Sequence, residues 1–142
     1  MTPGRAARIA LLALSVVAAC SGDGGSAGDL CRALAGTEGI TTQLQGFDPT
    51  DRDGALDLLR PARVTLGELR NEAPDEVRDD LQVEIDYVQS LIEGLEQVPA
   101  GDPAAAATAV QAVTDAHPDV ADASARLQAF ADRECAAGAS PG

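Results

Sequence analysis

From Asp29 to Cys135 apolar residues recur every three or four positions, and no stretch alternates with period two. Such spacing gives each segment one apolar stripe, the signature of amphipathic helices, and it excludes a half-buried sheet. The clearest stripe runs from Pro74 to about Val98. It carries Val77, Leu81, Ile85, Val88, Leu91 or Ile92, Leu95 and Val98.

Start and stop signals divide the pattern into about four helices. The first is expected over Asp29 to Gly46 with Leu30, Leu34, Ile40 and Leu44 inward; Gly36 and Gly39 weaken it. Each glycine costs nearly 1 kcal/mol relative to alanine in a helix interior, about enough to break a weak helix. The second opens at Asp48 as N-cap, with Pro49 in the first helical position and Asp51 and Asp53 near the positive end of the dipole. Its inner face is Ala55, Leu59, Ala62, Leu66, Leu69 and Ala73, and Pro61 inside that face predicts a kink or a local break. The third has Asp75 and Glu76 in its first turn. The fourth opens at Asp102-Pro103, meets a second start signal at His117-Pro118, and resumes through Val120, Leu127, and Phe130 or Ala131 to Cys135.

Residues 1–19 read as an export signal. Arg5 and Arg8 precede an uncharged, mostly apolar run from Ile9 to Ala19. At ~1.5 Å per residue those residues span about 17 Å, against a hydrocarbon core of roughly 30 Å. That is too short for a transmembrane helix. The run ends in Val17-Ala18-Ala19-Cys20, which resembles the lipobox of bacterial lipoproteins, in which the cysteine thiol takes a diacylglycerol and becomes the new N-terminus. Residues 20–28 then form the lipidated Cys20 and a Gly/Ser-rich tether, and residues 29–136 the helical domain. Residues 137–142 read as a disordered tail.

The chain has three cysteines, and an odd number in an exported protein calls for an explanation. With Cys20 on lipid, Cys31 and Cys135 are left to pair in a compartment where a disulfide persists. The expected architecture is thus all-α, an up-down bundle of about four helices whose first and last members are clipped by Cys31 and Cys135. In that topology both cysteines lie at one end of the bundle. A chain reversal at Pro118 would place Cys135 at the other end. Either Pro118 kinks a single long last element, or the first helix breaks at its glycines and parity is restored there. Closing a loop of about 105 residues is worth ~4 to 5 kcal/mol in the chain-entropy model. The contribution matters, because two Phe, one Tyr and no Trp make for an alanine-heavy core.

Charge excludes several classes of function. The chain holds 23 acids against 10 basic residues, all arginine, for a formal charge of −13. Removing Arg5 and Arg8 with the signal leaves eight arginines and shifts the charge from −13 to −15. Nucleic acid is no partner for such a chain, because phosphate binding rests on clustered cations. The body is also repelled by an anionic membrane surface, so contact with the membrane falls to the N-terminal lipid.

Catalytic and metal-binding patterns are missing from the sequence. His117 is the only histidine and reads as a helix cap or a solvated loop residue. With Cys31 and Cys135 bridged, neither a zinc cluster nor a Cys–His nucleophile can be assembled, and no Gly-x-Ser-x-Gly turn is present. Asp48 to Gly54 resembles a calcium loop in part, but Pro49 and Arg60 occupy the first and twelfth positions, where oxygen ligands are required. No metal and no cofactor are expected. Tyr87 and Phe47 read as packing residues, and Asp57–Arg60 and Asp122–Arg126 as surface ion pairs within a helix. The candidate interaction face is the acidic run of the third helix: Asp75, Asp79, Asp80 and Glu84, with Glu76 and Asp86 beside them. Like charges three or four residues apart repel, a cost that a cation or a basic protein partner would relieve.

The lipobox, the tether, the lysine-free helices rich in Ala and Asp, and one cysteine near each end of the domain together resemble small lipoproteins of high-GC Gram-positive, actinobacterial type. The resemblance implies lipid anchoring on the outer face of the cytoplasmic membrane and a helical fold, and it implies no activity. The function expected is a non-enzymatic interaction or accessory module. The alternative is a carrier or sensor that binds a small ligand, lipid or cation between the helices.

Overall fold

The computed structural model describes residues 26–35 and 47–137, and among them every regular element is an α-helix. The signal segment 1–19, Cys20 with most of the tether, residues 36–46 with Ile40 and Leu44, and the tail beyond Ala137 lie outside the described residues. Among the described residues five helices appear where about four were expected. They are α1 (Ala27–Ala35), α2 (Arg52–Glu72), α3 (Asp75–Glu96), α4 (Pro103–Ala116) and α5 (Val120–Ala137). The extra helix comes from a full interruption at His117–Asp119.

Helix α1 starts two residues earlier than the sequence pattern indicates, because Ser26 and Asp29 cap it reciprocally. The Asp29 backbone N–H donates to Ser26 Oγ (3.1 Å), and the Ser26 hydroxyl donates to Asp29 Oδ2 (2.7 Å). A side chain that satisfies the first orphan amides fixes where a helix begins. The last residues assigned to the tether, Ala27 and Gly28, are therefore helical.

The start of α2 is also displaced, from Asp48 to Asp51. Asp48 Oδ1 accepts from the Thr50 amide (2.8 Å) and the Thr50 hydroxyl (2.6 Å), closing a turn over Pro49. Asp51 then becomes the N-cap and accepts from the Gly54 amide at 3.1 Å. Downstream, α2 continues through Pro61 with no break. The proline is exposed while Leu59 and Ala62 on either side are buried. Packing of those neighbours offsets the ~3 kcal/mol that an interior proline costs.

Two residues join α2 to α3. Ala73 is fully buried in extended backbone, the conformation that a following proline imposes. Between α3 and α4 the chain turns at Gly101, whose φ of +79° favours glycine. Asp102 then caps α4, accepting from the Ala105 amide at 2.9 Å, with Pro103 opening the helix.

Side-chain pairings fix the helix directions. Arg52 at the start of α2 donates from Nε to the Leu95 carbonyl at the end of α3 (2.9 Å), so α2 and α3 are antiparallel. On α4, Val113 lies against Gly94 and His117 bonds Ser90. On α5, Ser124, Arg126 and Arg133 meet Glu84, Asp80 and Glu76 in turn. Both α4 and α5 thus run antiparallel to α3, on successive stretches of it. The chain breaks at Pro118 and keeps its direction. The end of α5 reaches the level where α3 begins and α1 sits, and there Cys31 and Cys135 form a disulfide with Cα atoms 5.4 Å apart.

The core falls into two clusters along α3. One joins the first half of α2, the second half of α3 and α4 around Leu59, Leu91, Leu95 and Ala106. The other joins α1, the end of α2, the start of α3 and α5 around Leu30, Leu69, Val77, Leu81 and Phe130. Gly94 permits the close approach of α4, since a Cβ there would lie 3.3 Å from Val113 Cγ2. Gly67 has no such role, because a Cβ there meets nothing within 4 Å. Gly67→Ala is expected to raise unfolding stability by roughly 0.5–1 kcal/mol in a urea titration. Gly94→Ala is expected to give no such gain, because Val113 stands in the way. Equal gains at both positions would refute the close-approach account of Gly94.

Candidate functional site

The acidic run on α3 divides into two sets. Asp75 and Asp79 are exposed, and Asp75 pairs within its own helix with Arg78 Nη1 (2.8 Å). Asp80 and Glu84 face α5. The Asp80 side chain is only 13% exposed, and its Oδ1 accepts from both Nε (2.8 Å) and Nη2 (2.6 Å) of Arg126. Glu84 accepts from the Ser124 hydroxyl. Glu76 completes the seam, accepting from Arg133 Nη2 at 2.7 Å. The four acids of the candidate face therefore do not form one surface.

The cost of placing like charges at helical spacing is thus met within the chain, by arginines of α5. Asp80 raises the affinity of Arg126 for its proton mainly through their hydrogen bond, and Glu134 and Glu76 do the same for Arg133. Arg133 also lies over the Phe130 ring, 5.3 Å from its centroid. The arginines of the helix-surface pairs read from the sequence have their nearest partners on another helix: Arg126 takes Asp80, with Asp122 still acting on it by charge, and Arg60 takes Glu96 of α3 at 2.9 Å. One signal for the seam was available. Arg126, Phe130 and Arg133 are spaced four and three apart, which puts two cations on the same helix face as the aromatic ring.

Burial raises the proton affinity of Glu84 above that of an ordinary carboxylate, with the Ser124 hydrogen bond opposing. A raised folded-state pKa contributes stability below the unfolded value, here 4.5, and loses it as pH rises through the folded value. Glu84→Gln keeps an acceptor for Ser124 and removes the charge. Thermal melts should show the variant more stable than the parent at neutral pH, with the difference vanishing well below pH 4.5. A variant less stable at neutral pH would contradict the burial account. Asp29 and Asp48 have the opposite sign. Hydrogen bonds from Ser26 and Thr50 lower their pKa values, so their contributions fade as the solution is acidified.

His117 is the C-cap of α4 and also ties α4 to α3. Its Nε2 lies 3.0 Å from Ser90 Oγ, and its ring meets Tyr87 edge-on at 5.7 Å. The Tyr87 hydroxyl is 3.1 Å from Thr114 Oγ1, and Phe47 packs on the first core cluster. In the calcium-like segment, Asp48 and Asp51 are engaged as turn and helix cap. Among the described residues no group of three or more His, Cys, Asp or Glu is placed to hold a metal ion, and no helix is long and apolar enough to cross a membrane.

Two pockets of about 230 Å³ open along α3. One is mainly apolar, lined by Phe47, Leu59, Glu84, Tyr87, Val88 and Leu91. The other lies on the seam between Asp80, Glu76, Arg126, Arg133 and Phe130. Compared with family models, curated proteins and solved structures, the chain matches none.

Proposed function

We propose that the chain is an extracytoplasmic lipoprotein of the actinobacterial type, anchored through Cys20 to the outer face of the cytoplasmic membrane. Its helical body serves as a non-enzymatic interaction or accessory module. The observation that carries this reading is the Cys31–Cys135 disulfide. It occupies two of three cysteines and leaves Cys20, at the end of an apolar run, as the one to be modified. We read the body as an up-down bundle in which α4 and α5 together make one arm, a reading supported by their shared direction along α3. The intact mass of native protein from a detergent-solubilised membrane fraction tests the anchor. A mass for Cys20 to Gly142 plus diacylglycerol, with two thiol labels gained only on reduction, is expected. A soluble, unlipidated mass with a free thiol would end the lipoprotein reading.

The partner proposed is a basic protein, and the surface left to meet it is the exposed pair Asp75 and Asp79. Asp80 and Glu84 are committed to α5. Asp75→Arg with Asp79→Arg is expected to abolish partner recovery in crosslinked pull-downs from intact cells, with only a small fall in melting temperature from the lost Asp75–Arg78 pair. Asp80→Arg should instead lower the melting temperature by opposing Arg126. Unchanged recovery with the first pair would sink the interaction face.

A second reading, a small-ligand or lipid carrier, is favoured by the apolar pocket lined by Phe47, Leu59, Val88 and Leu91. A rise in melting temperature on adding cell lipids would support it, and no shift with any lipid would remove it.

A further inference from the structure

Helix α1 is held to the body differently from every other helix. It has nine residues, too few to persist alone in water. Among the described residues, its capping residues Ser26 and Asp29 bond each other and Arg32 of the same helix. Among the described side chains of α1, Leu30, 2% exposed, is the large one in the core, with Ala27 and Ala33 packed at the margin. The disulfide adjoins Leu30, and both cysteines are partly exposed and so accessible to a reductant.

The other helices are tied independently of α1. A two-residue link joins α2 to α3, and Asp80–Arg126 and Glu76–Arg133 join α3 to α5. Beneath α1 lie Leu69, Ala73, Val77 and Phe130, contributed by α2, the α2–α3 link, α3 and α5.

We propose that the Cys31–Cys135 disulfide is a redox latch: its reduction releases α1 and uncovers an apolar patch centred on Leu69 and Phe130, while α2–α5 stay folded. The reductant is a dithiol. One of its thiolates attacks a cystine sulfur and expels the other protein sulfur as a thiolate. Its second thiol then resolves the mixed disulfide. Two electrons and two protons pass from the dithiol to the cystine, giving free Cys31 and Cys135 and an oxidised, disulfide-form reductant.

Hydrogen exchange read by mass spectrometry on the full chain tests the latch. The oxidised protein is compared with dithiothreitol-treated protein and with the Cys31→Ser/Cys135→Ser variant, which removes the bridge without reagent. In both unbridged forms, residues 26–35 are expected to lose their protection and exchange about 100-fold faster, while Leu91–Leu95 remain protected. Unchanged exchange in residues 26–35 would show that α1 stays docked without the bridge, and overturns the proposal. Loss of protection over the whole chain, Leu91–Leu95 included, would make the bridge a staple of the entire fold and overturns it equally.

Discussion

Leu95→Ala is expected to destabilise the protein by about 3 kcal/mol, within the range of roughly 2–5 kcal/mol seen for buried leucine truncations. Leu95 is fully buried where the start of α2, the end of α3 and α4 converge. Its backbone is held as well, because the Leu95 carbonyl accepts from Arg52 Nε at 2.9 Å. Helices pinned on several sides collapse poorly into a cavity, so the lost methyl groups leave a void. A urea titration should show a lower midpoint with an unchanged slope. A loss under about 1 kcal/mol would mean that α4 closes onto the gap and that this cluster is looser than its burial implies.

Cys31→Ser/Cys135→Ser is expected to cost about 3 kcal/mol of global stability. The bridge joins residues 104 apart in sequence. A loop of that length sets a ceiling of about 4.7 kcal/mol in the chain-entropy model. The full value is reached only where the unbridged native state keeps all its contacts. Release of α1 relaxes that state and recovers part of the loss. Denaturant midpoints of the two forms under non-reducing conditions measure the difference. A cost near zero would show that the unfolded chain is already compact enough to make the bridge entropically idle.

Helical character, the inner faces of α2 and α3 and the cysteine pairing were legible from residue spacing, because each depends on short-range periodicity or on a count. The helix starts were less so. Asp48 and Asp51 are both good caps, and the choice between them falls to Thr50, whose hydroxyl and amide occupy Asp48. Ser26 was missed as a cap because the Gly/Ser composition around it reads as linker, while Asp29 three residues on completes the capping pair. The acidic face of α3 was readable as a list of charges. Its division into exposed Asp75 and Asp79 and paired Asp80 and Glu84 depends on where α5 lies, which no local pattern states. Pro118 is the same kind of case. A proline marks an interruption, and whether the chain then turns back is decided by the surface that α3 offers to the next segment.

Since α3 is the common partner of α2, α4 and α5, most contacts of the body join segments that are neighbours along the chain. Topologies dominated by such local pairings assemble fast, because little loop entropy is spent before contacts form. The most distant partners, Cys31 and Cys135, are brought together by that assembly. The order of folding follows: a reduced chain folds α2 to α5 first, and oxidation comes afterwards as the step that seals α1 in place.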